Sequence, residues 1–204
     1  MNTTNKLVWS VFAFLAIGVG LYPLLYFFVD RKFGLLASKS DELLADVFWN
    51  MGFYGHILLG GLALGIGWVQ FSKKIRNANL ARHRTLGKIY VIAVLISGSC
   101  GIFIAYNATG GIVTTLGFMG LGIVWLYATI KAYFAIRKGD VALHEDMMIY
   151  SYAACFAAVT LRVWLPLLTI ALQDFTAAYR IVAWLCWVPN IIFAFFWVRR
   201  KGLI

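Results

Sequence analysis

The sequence predicts an all-α, polytopic integral membrane protein: a six-transmembrane-helix bundle with both termini cytoplasmic, formed as a single membrane domain over residues 1–204. Three observations lead there. The chain is 62% hydrophobic and only 13% charged, against roughly half and a quarter in soluble domains. Six apolar stretches approach the ~20 residues a helix needs to cross a bilayer. The cations are divided unevenly between the connections, as topology demands of a membrane protein.

The six stretches run approximately Val8–Val29, Val47–Phe71, Leu86–Tyr106, Gly111–Ile136, Met147–Leu172 and Ile181–Val198. On one side of them fall Lys6, Lys73, Lys74, Arg76, Arg82, Arg84, Lys88, Arg137, Lys138, Arg199, Arg200 and Lys201; on the other fall only Arg31, Lys32, Lys39 and Arg180. The richer side is expected to be cytoplasmic, in a bacterial cytoplasmic (inner) membrane. The poorer side also holds Asp30, Asp41, Glu42, Asp46 and Asp174 and is close to neutral. A net charge of +10 therefore reflects orientation toward the lipid bilayer and gives no reason to expect a nucleic-acid partner. Cys100, Cys155 and Cys186 are odd in number and lie inside apolar segments, so free buried thiols are expected.

The first segment is too long for a signal peptide and lacks a small-x-small cleavage site, so it reads as a retained helix, kinked at Pro23. Residues 30–46 alternate charges with Leu35, Leu36, Leu43 and Leu44 and read as an external interfacial segment. The second segment carries His56, about 13 Å below its outer end. Gly60 and Gly67 recur on the face of His56, while Gly61 and Gly65 supply a small-xxx-small packing pattern. That smooth face suits either a neighbouring helix or a flat cofactor with His56 as its ligand.

A basic loop follows, and His83 opens the third segment. Gly87, Tyr90, Ser97 and Gly101 continue its face. The segment ends at the "YNATGG" turn around Asn107, whose glycosylation triplet lies too close to the membrane to serve. The fourth segment holds Gly117, Gly120 and Gly122 for close packing, with Lys131 snorkelling near its end and no catalytic group.

The fifth segment organises the chain. Ser151, Cys155 and Arg162 return to the face of His144 at 7, 11 and 18 residues, a polar stripe about 27 Å long. Intramembrane ionisable groups are costly and mark functional candidates. The sixth segment is aromatic-rich, and its end residues fit an interfacial belt. Two polar layers result: His83, Arg84, His144, Glu145 and Asp146 near the cytoplasmic surface, and His56 with Arg162 below Asn107 on the outer side.

Three blocks, "GHILLGGLALGIGWVQF", "HRTLGKIYV" and "HEDMMIYSYAACFAAVTLR", resemble the DUF2306 family of predicted bacterial membrane proteins over about His56–Pro166. The resemblance implies that His56, His83, His144 and Arg162 are family positions, and it names no reaction. The family pattern carries basic residues and a tryptophan after the third histidine, where this chain has Glu145, Asp146 and Met147.

Three chemistries are open to these groups. A small redox protein binding haem b or quinone would use His56, His83, His144 and Arg162; His83 with His144 is the only bis-histidine pair, and three histidines exclude two such haems. A divalent metal could take His83, His144 and Glu145, although Glu145 and Asp146 also suit a helix N-terminus without one. Or the protein is a non-catalytic accessory or transport subunit, packed by its glycines against other membrane subunits or its own copies. The sequence offers no inverted repeat and no pair of broken helices, which counts against transport.

Overall fold

Hydrocarbon offers the backbone no hydrogen-bond partners, so each apolar stretch must close its own ladder as a helix. The computed structural model describes residues 3–201. Among the described residues there are only helices and their connections, and six spans are long and apolar enough to cross a membrane: Lys6–Phe27, Val47–Phe71, Leu80–Ala105, Ile112–Arg137, Val141–Leu172 and Phe175–Lys201.

The third, fifth and sixth spans begin about six residues before the apolar runs that predict them. In each case a polar side chain caps the added turn: Asn79 accepts from Arg82 N, Asp140 from Leu143 N, and Asp174 from Thr176 N and Ala177 N. These caps satisfy otherwise orphaned amides and let a polar first turn stand at the interface.

Four spans are not continuous α-helices, the second ending in a 3-10 turn, Trp68–Phe71. Helix α1 (Thr3–Leu21) passes into a 3-10 segment, Tyr22–Phe27, at Pro23. The fifth span divides at Phe156 into α7 (Val141–Cys155) and α8 (Ala157–Leu172). The sixth divides at Cys186 and Trp187 into α9 (Phe175–Leu185) and α10 (Val188–Lys201). The two interruptions are stitched together: Asn190 Nδ2 donates to Cys186 O (3.0 Å), Ala153 O (3.2 Å) and Thr160 Oγ1 (3.3 Å), and Thr160 Oγ1 donates to Cys186 O. The expectation of no paired broken helices is thereby corrected. A pattern of hydropathy does not register a break whose freed carbonyls are satisfied by side chains of the neighbouring span.

Residues 28–46 form a strap instead of one interfacial helix: a 3-10 turn, Gly34–Ser38, and a short α2 (Asp41–Ala45). Arg31 fastens the strap to the start of α3 (Val47–Gly67) through Asn50 Oδ1 and Tyr54 Oη (3.3 Å), and also donates to Leu44 O within the strap (2.7 Å). Leu36 and Leu44 are buried there against Trp49 and Phe53.

The centre is built from α3, α5 (Leu80–Ala105), α6 (Ile112–Arg137), α7 and the start of α8, with Leu64, Tyr90, Val94 and Val159 fully buried. Glycines set the approach distances. A Cβ on Gly20 would lie 2.9 Å from Gly61 O, so α1 crosses α3 backbone against backbone, while a Cβ on Gly65 meets nothing within 4 Å. Gly52 admits Phe103 of α5, Gly98 admits Leu126 of α6, and Gly117 lies against Ala183 of α9. The outward apolar side chains, among them Phe14, Ile92, Leu116, Ile123 and Phe193, remain exposed and suit contact with lipid.

Candidate functional site

Below the strap lies a cavity of about 220 Å³. Its walls come from all six spans, and its polar groups are few: His56, Arg162 and Lys39, with Tyr26, Tyr179 and Cys155. Trp49, Phe53, Trp125 and the glycines 60, 61, 98, 101 and 122 complete much of the rest. A mostly apolar hollow with a few convergent polar groups is the usual form of a small-molecule site.

His56 is positioned by α5. Its Nδ1 lies 3.0 Å from Ser97 O, and since a carbonyl only accepts, Nδ1 carries the proton; Ser97 Oγ donates in return to His56 O at 2.8 Å. Nε2 has no protein partner among the described residues and is the chemically free nitrogen. Space for the ring exists because residue 101 is glycine: a Cβ there would stand 2.8 Å from His56 Nδ1.

Arg162 reaches the same cavity from α8. Its Nη1 donates to Ala158 O (2.8 Å), and its guanidinium carbon lies 4.4 Å from the centre of the Tyr22 ring. Nε is buried without a partner, and no carboxylate of the described residues lies within ion-pairing distance. Pro166 stands four residues on and has no N–H to offer Arg162 O.

Lys39 roofs the hollow. Its ammonium donates to Asn107 O and to Thr109 Oγ1 (3.1 Å) in the turn between α5 and α6, and Ser38 Oγ adds a contact to Thr109 Oγ1 at 2.9 Å. Burial pushes the Lys39 amine down to about 8 from its ordinary value.

Below the cavity a hydroxyl network crosses the bundle. Ser151 Oγ lies 2.8 Å from Tyr90 Oη and 2.6 Å from Thr129 Oγ1, and Thr129 Oγ1 donates to Trp125 O at 2.7 Å. Tyr152 Oη donates to Leu64 O at 2.9 Å. The face of His56 is thus filled by protein along part of its length: a Cβ on Gly67 would collide with the Tyr152 ring, and one on Gly60 would meet Ser97 Oγ at 3.0 Å. No flat cofactor lies along that face at Gly67.

The other two histidines belong to the opposite, basic face. His83 stands fourteen residues before Ser97 on α5, about 21 Å along the axis, and His144 eleven before Cys155 on α7, about 16 Å. His144 Nδ1 donates to Ala132 O (3.0 Å); His83 Nδ1 is buried without a partner. Glu145 is engaged by Arg76 of α4 (Lys73–Ala78) at 2.7 Å and by Lys201 at 3.4 Å, and Lys201 also reaches Asp146 at 4.0 Å. Among the described residues no three His, Cys, Asp or Glu side chains gather as a metal site would require. The trio of His83, His144 and Glu145 is therefore not assembled as a ligand set, and the two carboxylates find their use tying α7 to α4 and α10.

The structure brings His56 and Arg162, placed together on the outer layer by the sequence, to one cavity, and adds three polar residues that sequence reasoning omits. Thr129 was legible as the isolated polar side chain in an apolar helix, and Asn190, after Pro189, as an amide among aromatics. Lys39 gave no signal beyond its charge.

Six spans with polar groups confined between them define a multi-pass helical membrane protein. The chain belongs to the DUF2306 family of predicted membrane proteins, whose family model matches residues 53–198. The match holds His56, His83, His144 and Arg162 and extends through most of the sixth span, while α1 and the strap precede it. No curated protein and no solved structure matches the chain.

Proposed function

We propose that the protein is a small-molecule-binding membrane protein of the cofactor-binding kind, with its site in the cavity beneath the strap and its basic face toward the cytoplasm of a bacterial inner membrane. One observation carries the reading: His56 Nε2 and the Arg162 guanidinium, both without a side-chain partner, share one otherwise apolar cavity inside the membrane. Leaving such groups uncompensated is costly, and a bound oxygen-bearing head would offset the cost.

Of the two redox cofactors the sequence suggests, quinone fits this site better than haem. Bis-histidine ligation needs both imidazoles at one depth, and His83 and His144 lie far along their helices from His56. A quinone would supply two-electron, two-proton chemistry there. On the protein side, Arg162 N–H groups donate to a carbonyl oxygen; neutral His56, with Nδ1–H held by Ser97, accepts a hydroxyl hydrogen at Nε2.

A second reading, movement of the ligand across the bilayer, is favoured by the paired interruptions at Phe156 and Cys186, since discontinuous helices border substrate sites in many transporters.

The test is purification in mild detergent, organic extraction and mass spectrometry, with absorption spectra before and after dithionite. Tryptophan fluorescence during titration with a short-chain quinone completes it, because Trp49 and Trp125 line the cavity. Saturable quenching that His56→Ala and Arg162→Gln both weaken is expected. An empty extract together with no saturable response to any amphiphile would remove the reading.

A further inference from the structure

The charged side chains that line the cavity, Lys39 and Arg162, are both cationic. The strap contributes Lys39, α3 contributes His56 and α8 contributes Arg162; the first span, α6 and α9 contribute aromatic and aliphatic side chains and the phenols of Tyr26 and Tyr179. No aspartate or glutamate lines it.

The carboxylates on the strap face are already used. Asp41 pairs with Lys32 at 2.7 Å, and Asp30 Oδ1 accepts from Lys32 N at 2.7 Å. Asp46 caps α3 through Trp49 N (2.8 Å), and Asp174 caps α9 through Thr176 N (2.8 Å). Glu42 sits in the first turn of α2, where the helix N-terminus favours it. The protein thus brings two basic side chains and an imidazole to one apolar hollow and keeps every acid of that face elsewhere.

The guanidinium adds direction. Nη1 is committed to Ala158 O, so the opposite edge, Nε and Nη2, is the one without a partner. Two parallel N–H donors on one edge match the two oxygens of a carboxylate or phosphate. Nε is shielded at present, beside the Tyr22 ring, so an oxygen docks on it only when the side chain moves.

We infer that the ligand of this cavity is a single-chain anionic amphiphile, whose carboxylate or phosphate-monoester head pairs with Arg162 beneath the Lys39 roof, beside neutral His56, while its chain lies among the aromatic and glycine walls. The inference rests on the cavity being the binding site and specifies its ligand class. A volume of about 220 Å³ lies below the ~300–1,000 Å³ of drug-sized pockets, so it holds the head and the first part of one chain. A neutral quinone satisfies the donors and leaves both cations uncompensated; an anion does both.

The experiment uses the full chain in nanodiscs of zwitterionic lipid, read by tryptophan fluorescence at pH 7. The probes are decanoate, decyl phosphate, methyl decanoate, a short-chain quinone, and the soluble anions acetate and inorganic phosphate. The charged amphiphiles are expected to bind at least tenfold more tightly than the ester and the quinone. Arg162→Gln should weaken decanoate tenfold or more and leave the ester unchanged. Lys39→Met, outside the spans, should weaken decanoate several-fold and serves if Arg162→Gln does not fold. Acetate or phosphate binding as tightly as the long-chain probes would keep the anionic head and assign it to a soluble source, overturning the amphiphile. Ester or quinone binding as tightly as decanoate would overturn the anionic head while leaving the cavity as a binding site. No binding by any probe would remove both.

Discussion

Gly101→Ala is the sharpest test of the site's construction, because one methyl group meets one ring, that of His56. The new Cβ would stand 2.8 Å from His56 Nδ1 and 2.9 Å from Cε1, where ordinary contact begins at 3.4 Å. The imidazole must therefore retreat by about 0.6 Å or more along a direction set by Nδ1. Its bond to Ser97 O starts at 3.0 Å, and a retreat of that size takes it out of hydrogen-bonding range, near ~3.6 Å.

The expected cost combines about 1 kcal/mol for the lost bond with about 1–3 kcal/mol for overpacking, less up to ~1 kcal/mol of helix propensity gained by alanine, for a net of about 1–3 kcal/mol. Gly87→Ala, on the same helix, is the control: its Cβ meets nothing within 4 Å, so propensity alone acts and stability holds or rises by up to ~1 kcal/mol. Thermal unfolding of both variants in the same detergent, followed by intrinsic fluorescence, measures the difference. Ligand titration of Gly101→Ala should also show weakened binding. If Gly101→Ala is as stable as Gly87→Ala and binds like the parent protein, His56 is not held by Ser97 as described.

Ser151→Ala removes the shared partner of Tyr90 and Thr129 and strands the Tyr90 hydroxyl, at a cost of about 1–3 kcal/mol, whereas Thr129→Val should cost about 0.5–1.5 kcal/mol because Tyr90 keeps Ser151; detergent unfolding ranks the two. Glu145→Gln breaks a half-exposed pair with Arg76 and should cost under ~1 kcal/mol, with the deficit shrinking at high salt. For Lys39 the sign is set by burial. Its amine titrates near 8 in the folded protein against an ordinary 10.5, so the folded state sheds this proton first. Anion binding should fall between pH 7 and 9 in the parent protein and stay flat in Lys39→Met. This group's contribution to stability rises with pH across 8 to 10.5, where the unfolded chain holds more protons.

The number and order of the spans were legible because apolar length is a direct physical requirement of the bilayer. Their ends were less so. Asn79, Asp140 and Asp174 extend three helices by caps, and a cap is one residue among many polar ones at an interface. The interruptions at Phe156 and Cys186 were invisible to hydropathy for another reason: each depends on the other span, through Thr160 and Asn190, and neither segment alone announces it. The stripe of His144, Ser151, Cys155 and Arg162 was legible as a helical face, which alone does not say whether its members meet one partner or several. Three of its members serve separate layers: His144 at the basic face, Ser151 in the hydroxyl network and Arg162 in the cavity.

The break at Phe156 explains how Arg162 comes to stand where it does. With α7 and α8 as two helices, α7 packs with α6 and α10, while α8 pairs with α9 and carries Arg162 to the Tyr22 ring of the first span. In an unbroken helix the register of His144 would carry through to Arg162, and one stripe would face one neighbour throughout. The division frees the half on the strap side to follow a different neighbour, and Thr160, the residue that closes the gap to Cys186, lies two positions from Arg162. The hairpin of α8 and α9 is thus a unit joined to the rest by two adjacent interruptions, and it holds the cation that any head in the cavity must meet. A helix break and an unpaired arginine are each costly inside a membrane. Their placement on one hairpin beside a cavity is the reason to place the function there and not at the basic face, where Glu145 already answers Arg76 and Lys201.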